Sequence, residues 1–488
     1  MSVRPTAVRS RGRPPRLVAA GILVAVVLAA GLVALVTGGS SRHLVPGGGN
    51  SDSSFDPLAF YSSQAGALQA AAAAGYSHVI YAKSPGGIVA SVRRTEHYRA
   101  QIDAAAKKGP VDATTLEAIV LLESAGRPDI VAGPNLSAAA GLTQILAETG
   151  RNLLGMRIDL SASRRLSAQI AAAARAHDAR KVASLSKRRG QVDQRFDPAA
   201  ALAATERYMA IAQKTFGRSD LTVVSYHMGI GNLETALRRY AGPSSSSTPI
   251  AKLVSDQSLS YTKLYFDSTP LRHPAAWGWL YALGDDSESY LWRVQAAVQI
   301  LALHRSDPAR LARQAALQTA APSAERVLRP PGTPVLADRA AVAAARARGY
   351  LLAIPSGAAG TNAGLQTAGS LSLRPEALAA ALYIAAGVRQ IGRSQQPLQI
   401  TAATTDAADL RTQARLDHGL ADADPLHATG YAFDVARAYA TPAQAQAFQF
   451  MLDRLLALNV IAWVRHRRII HVVVGPGSSA LAGLLPKA

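Results

Sequence analysis

At 488 residues, with 49% hydrophobic and 17% charged positions, the chain is globular and too long for one simple domain. Its net charge of +20 suggests an anionic environment, whether nucleic acid, acidic lipid or an anionic polymer. It has no cysteine, which excludes disulfides and thiolate zinc sites. The first element is a basic segment, residues 1–16, "MSVRPTAVRSRGRPPR". An uncharged apolar run follows, Leu17 to Thr37. That is about the 20 residues a membrane-crossing helix needs, and longer than a typical signal-peptide core. The expectation is an uncleaved single-pass anchor, with the arginines in the cytoplasm and everything after Gly38 outside. Such a placement argues against nucleic acid as the partner of the positive charge.

Residues 38–54 are rich in Gly and Ser and read as a flexible tether. Ala-rich helical patterning dominates the next domain, 55–305. Clustered Pro, Gly and Ser mark 306–372 as an interdomain region around a short helix near Asp338 to Arg348. From Leu373 the character changes. "PLQITAAT" and "IIHVVVG" have strand composition, while "ALAAALYIAAGVRQI" and "PAQAQAFQFMLDRLLALN" are helical. The second domain, 373–478, is therefore expected to be α+β, with a tail at 479–488.

"EAIVLLESAGRPDI" carries the first chemical signal. The apolar face of Ile119 to Leu122 runs directly into Glu123, where desolvation makes a charge costly. Most helix-end glutamates are solvated or ion-paired. Further signals follow in order: Gly141-Leu142-Thr143-Gln144, Phe196-Asp197-Pro198, and Tyr226 with Gly229, Gly231 and Asn232. Together these resemble the soluble lytic transglycosylase family, with its lysozyme-like helical fold, over roughly 110–240. Asp197 reads as a helix N-cap before Pro198 rather than a catalyst.

The resemblance implies that Glu123 protonates the MurNAc–GlcNAc glycosidic bond of peptidoglycan. It would then take the proton of the muramic acid 6-hydroxyl, leaving a 1,6-anhydro end, with no cofactor. Burial that raises its pKa would supply the acid near neutral pH. Ser124 would cap or orient Glu123. Gln144, Tyr226 and Asn232 would bind substrate, and Gly229 and Gly231 would let backbone approach the sugar. Two features depart from the family: His227 stands where Asn is common, and a basic insertion separates Gln144 from Phe196. The insertion reads as a solvated surface hairpin, or alternatively as a cover for the cleft or an arm for an anionic polymer.

A second constellation is His427, Asp434 seven residues on, and His471 in "RIIHVVV". Two imidazoles and one carboxylate suit a zinc with an open position. The spacing resembles peptidases of the D-Ala-D-Ala carboxypeptidase and VanY group over roughly 373–477. In that family a glutamate three residues before the last histidine activates the metal-bound water. Here Arg468 takes that place, and Pro425 replaces the family's serine. The resemblance implies a zinc site, with structural histidines as the alternative, and the two departures point to a module that recognises stem peptides or wall polymer without cleaving them.

The expected architecture is an N-terminal transmembrane helix, a mainly α lysozyme-like domain and an α+β peptidase-like domain. The expected activity is a membrane-anchored peptidoglycan lyase. A hydrolytic muramidase on the same fold, a non-catalytic wall-binding scaffold and a zinc carboxypeptidase remain as alternatives.

Overall fold

The computed structural model describes residues 58–320, 328, 332–367, 369–416, 426–475, 477–478 and 481. The anchor expected over Leu17 to Thr37, the basic segment before it, and the tether at 38–54 lie outside these residues. Among the described residues no helix is long and apolar enough to cross a membrane. The expectation of a fold that opens on a transmembrane helix is corrected accordingly. The structure supports a mostly helical molecule with a small sheet near its C-terminal end. Its long apolar helices are buried in the molecule's own core. The 18-residue helix Pro375–Gly392, for example, carries Glu376 and Arg389 and packs inside the C-terminal layer.

Helix α1 (Ala65–Gly75) opens the helical part, and α2 (Ala113–Ser124) forms its centre. Asp112 starts α2 by accepting the N–H groups of Thr114 and Thr115 at 2.9 and 3.0 Å. Leu116, Ile119, Val120 and Leu121 are buried on it, each contributing about 1.5–3 kcal/mol. The helix ends where Ala125 turns left-handed (φ 53°) and Gly126 follows at φ 72°. A side chain at Gly126 would stand 2.5 Å from the Thr95 nitrogen, so the chain must leave the helix there as glycine. Arg94 fixes the exit by donating to the Ala125 and Pro85 carbonyls.

Two helices, α3 (Leu160–Arg175) and α4 (Ala179–Val192), form the insertion as an antiparallel hairpin. Next come α5 (Pro198–Phe216), α6 (Ser219–Met228) and α7 (Ile230–Ala241). Asp197 caps α5 through the Ala200 N–H at 3.1 Å, with Pro198 in the first turn, as the sequence suggests. Later in the chain, α8 (Tyr290–Ser306) lies directly along α2. The fully buried Glu117 of α2 is held there by Arg99 at 2.8 Å and Arg305 at 2.5 Å.

Among the described residues the C-terminal part has seven short strands. β1 (Leu352–Ala353) pairs with β3 (Ser372–Leu373). β2 (Leu365–Thr367), β4 (Leu398–Ala402), β5 (Ala432–Ala436), β6 (Ile461–Arg465) and β7 (Ile469–Val474) form one sheet in the order β2-β4-β5-β7-β6. Only the β2–β4 pair is parallel. Helices α9 (Pro375–Gly392) and α10 (Pro442–Ala457) cross closely at Gly387, where a Cβ would stand 2.5 Å from the Met451 sulfur. One apolar cluster runs without interruption from the helical part into this layer.

Candidate active site

Glu123 occupies the last turn of α2 and opens into a cleft of about 660 Å³. Burial pushes its carboxyl up to about 7 from an ordinary 4.5. Two groups pull the other way. The buried Tyr290 at the start of α8 donates its hydroxyl to Glu123 Oε1 at 2.7 Å, and the charge of Arg293 lies near. The result is a carboxyl group that holds its proton near neutral pH yet is oriented by a fixed donor.

The opposite wall comes from the end of α6. Tyr226 donates to the Thr143 carbonyl at 2.6 Å and lies 3.2 Å from the Thr205 hydroxyl. Tyr208 meets its ring edge-on at 5.4 Å. Burial, and then the nearby Glu123 charge, raise the Tyr226 hydroxyl's pKa, so it stays a neutral donor. His227 stacks on Tyr290 at 5.1 Å, and its Nδ1 sits 3.0 Å from the Ser287 hydroxyl. Gly229, at φ 83°, breaks the backbone between α6 and α7 and lines the cleft beside them.

The third wall is the loop carrying Gln144. Its backbone is left-handed (φ 52°), and its side-chain amide donates to the Gly141 carbonyl at 2.8 Å. Gly141 is forced to be glycine: its φ is 83°, and a Cβ would fall 1.8 Å from the Arg195 carbonyl. Leu146 and Leu153 line the same cleft and are about half exposed, at 51% and 47%. Exposed apolar side chains in a concave site suit the faces of a sugar ring.

The cleft therefore brings together Glu123, Gln144, Tyr226 and Gly229. Ser124 is not part of it. Its hydroxyl is buried and donates back to the Val120 carbonyl at 3.2 Å, so it neither caps nor orients Glu123. Gly231 and Asn232 are exposed on the first turn of α7, outside the cleft lining. Asn232 uses its side chain to cap Met228 and its carbonyl to accept from Trp279. Sequence reasoning missed Tyr290. Its one local signal is an aromatic residue opening a helix straight after the acidic stretch "DDSES".

Residues 100–247 match the family model of the transglycosylase SLT domain. No curated protein matches the chain. The SLT match supports a lysozyme-like, peptidoglycan-lytic enzyme acting on peptidoglycan. It covers Glu123 and the Gln144 and Tyr226 walls, stops before Tyr290, and does not reach the C-terminal sheet.

There, β5 and β7 pair Asp434 directly opposite His471. His471 Nδ1 lies 2.6 Å and His427 Nε2 3.3 Å from the same Asp434 oxygen. One ligand atom from each of the three residues falls within 4.8 Å of the others. Burial works to raise the Asp434 pKa, but the two histidines outweigh it and hold the carboxyl well below the usual range. His427 Nδ1 is buried with no hydrogen-bond partner among the described residues. Two imidazole nitrogens converging on one carboxylate oxygen is the donor set a zinc ion takes. Arg468, which stands where the resembled family has its glutamate, lies exposed in the turn between β6 and β7. Its carbonyl accepts from the Arg437 N–H.

Proposed function

We propose that the helical part cleaves the MurNAc–GlcNAc bond of peptidoglycan by lytic transglycosylation, with Glu123 as both acid and base. One observation carries this reading. Among the described residues lining the cleft, Glu123 is the only carboxylate. A hydrolase of this general shape uses two, the second to activate water or to act as nucleophile. With one, the economical route is internal. Protonated Glu123 donates to the glycosidic oxygen as the C1–O bond breaks. The resulting carboxylate then takes the proton of the 6-hydroxyl as O6 closes on C1. The proton returns to Glu123, no water is consumed, and the new end is a 1,6-anhydro sugar. Gln144 and Tyr226 bind the acetamido and hydroxyl groups, and the site of action is the wall outside the cytoplasm.

The test is mass analysis of products from purified peptidoglycan. Ends lacking one water support the lyase, and reducing ends support a muramidase. Glu123→Gln is expected to lower turnover by about two orders of magnitude or more, as loss of a general acid does. Near-normal lysis by that variant removes Glu123 from the mechanism.

A second reading concerns the C-terminal part, where His427, Asp434 and His471 would hold a zinc. When bound, zinc would supply a Lewis-acidic centre. The position the resembled peptidases give to a glutamate base is Arg468, whose guanidinium is a donor and cannot serve as that base, so no cleavage of stem peptides is expected. Zinc at one equivalent should raise the unfolding midpoint of the native chain, and His471→Ala should abolish that rise.

A further inference from the structure

The α3–α4 hairpin is joined to the cleft at its base and presents an unbalanced charge at its surface. Between Leu160 and Val192 it carries eight cations and one acid, Asp178. That acid is committed to capping α4, where it accepts the Lys181 N–H at 2.9 Å. Arg189 is buried over Phe196, with its guanidinium 3.9 Å from the ring. The other seven, Arg164, Arg165, Arg175, Arg180, Lys181, Lys187 and Arg188, are all exposed. Among the described residues none of the seven lies within ion-pair distance of a carboxylate. The hairpin's own core is small, centred on Leu166, Ala173 and Leu185. Concentrating like charge on so small a core works against compactness, which makes this a poor strut and a good polyanion surface.

The base of the hairpin is tied to the catalytic cleft. Leu153 and Leu154 line the cleft just before it begins. Just after it ends, the buried Arg195 pairs with Asp193 at 2.8 Å. The same guanidinium donates to the Leu136 and Ala138 carbonyls at 2.8 and 2.9 Å. Those carbonyls belong to the loop that presents Gln144. An anionic chain lying on the hairpin is thus held beside the glycan in the cleft, over an arm of about 24 Å.

We propose that the α3–α4 hairpin is a binding arm for the carboxylates of peptidoglycan stem peptides. It rests on the reading of peptidoglycan as substrate and adds to that reading a second contact, made through charge rather than sugar. Arginine, five of the seven, matches carboxylates with its planar fork.

The experiment measures binding of the full chain in the Glu123→Gln background, so that turnover plays no part. The variant adds Arg164→Gln, Arg165→Gln, Arg180→Gln and Lys181→Gln, which keep helix propensity. Circular dichroism and the unfolding midpoint verify that the hairpin is folded. Against purified peptidoglycan free of phosphodiester polymers, the variant should bind about tenfold more weakly at low salt. The difference should vanish at 1 M salt, where screening is nearly complete. Peptidoglycan with its carboxylates chemically amidated should bind both proteins alike. Equal binding of variant and parent to unmodified polymer overturns the proposal. So does a loss seen only with anionic lipid vesicles or with a soluble phosphodiester polymer, which would assign the arm to another partner. If the lytic reading alone is wrong, the unmodified chain releases no 1,6-anhydro ends while the binding difference persists.

Discussion

Glu117 and Glu123 lie on the same helix, six residues apart, and the structure uses them in opposite ways. Glu117 is fully buried and neutralised by Arg99 and Arg305, which joins α2 to its neighbours. Glu123 is raised to about 7 and meets a neutral phenol. Its folded pKa lies above its unfolded one, so its stabilising contribution is present below about pH 4.5 and is lost as pH rises through about 7. Glu123→Gln cannot ionise. It should therefore raise the unfolding free energy at pH 8, by on the order of 2 kcal/mol, and change little at pH 4. An unchanged melt at pH 8 would mean that the carboxyl is not desolvated. Activity should follow the protonated acid and fall as pH climbs past 7. Tyr290 donates to the charged form, so Tyr290→Phe should move that alkaline limb upward by about half a unit to one unit. A pH–rate profile with an unmoved limb removes the tyrosine from this role. Glu123 was legible in the sequence because an apolar run ends on it and the family's motifs follow in order. Tyr290 was not, because it arrives from 167 residues away, by the packing of α8 on α2. Ser124 was misread for a related reason: spacing places it next to Glu123, but helix geometry turns it inward.

At the scale of elements, the loop from Leu136 to Ile145 does the most positioning with the least regular structure. Its shape depends on Arg195 from beyond the hairpin and on Gly141 beneath the Arg195 carbonyl. Gly141→Ala combines a left-handed backbone with a Cβ that has no room. A cost of about 2–4 kcal/mol is expected, together with weaker binding of glycan fragments as Gln144 is displaced. Calorimetry and a binding isotherm measure the two effects, and a variant with both unchanged would show that the loop is not held as described. The helices of this part were legible from their caps and periodicity, with Asp197-Pro198 the clearest case. The left-handed turns at Ala125 and Gln144 were not, since neither residue type signals positive φ. In the C-terminal part β4, β7, α9 and α10 follow the strand and helix composition of the sequence. The two- and three-residue strands β1, β2 and β3 are too short to leave a periodic signal.

The whole molecule differs from the expectation of two bodies separated by a Pro- and Gly-rich region. α10 packs against α1, and Gly75 meets the Leu456 carbonyl so closely that a Cβ would stand 2.2 Å from it. At the centre of this seam is Arg454, buried and with no carboxylate partner in hydrogen-bond range among the described residues. Its guanidinium donates to the carbonyls of Phe266, Tyr265 and Ser268 at 2.7, 3.1 and 2.9 Å. These are the orphan acceptors at the end of the helix Tyr261–Asp267, where a cation also meets the negative end of the helix dipole. The same group lies 5.3 Å from the rings of Tyr265, Phe266 and Phe450. In the sequence Arg454 reads as an ordinary cation in the last turn of an amphipathic helix, because its partners are about 190 residues upstream. Arg454→Ala would leave three buried carbonyls without donors. A loss of about 3 kcal/mol or more is expected. The loss should fall on the seam rather than on either part's own core, so the denaturant curve should change form as well as midpoint. The parent chain, whose main apolar cluster spans both parts, should unfold across this seam in a single transition. The variant should show two, the earlier one reported by near-ultraviolet signals from Trp277, whose ring meets Phe450 across the seam at 5.8 Å. Arg454→Lys keeps the charge but loses the fork and should fall between them. A single transition at the parent midpoint for Arg454→Ala would mean that the two parts are joined elsewhere.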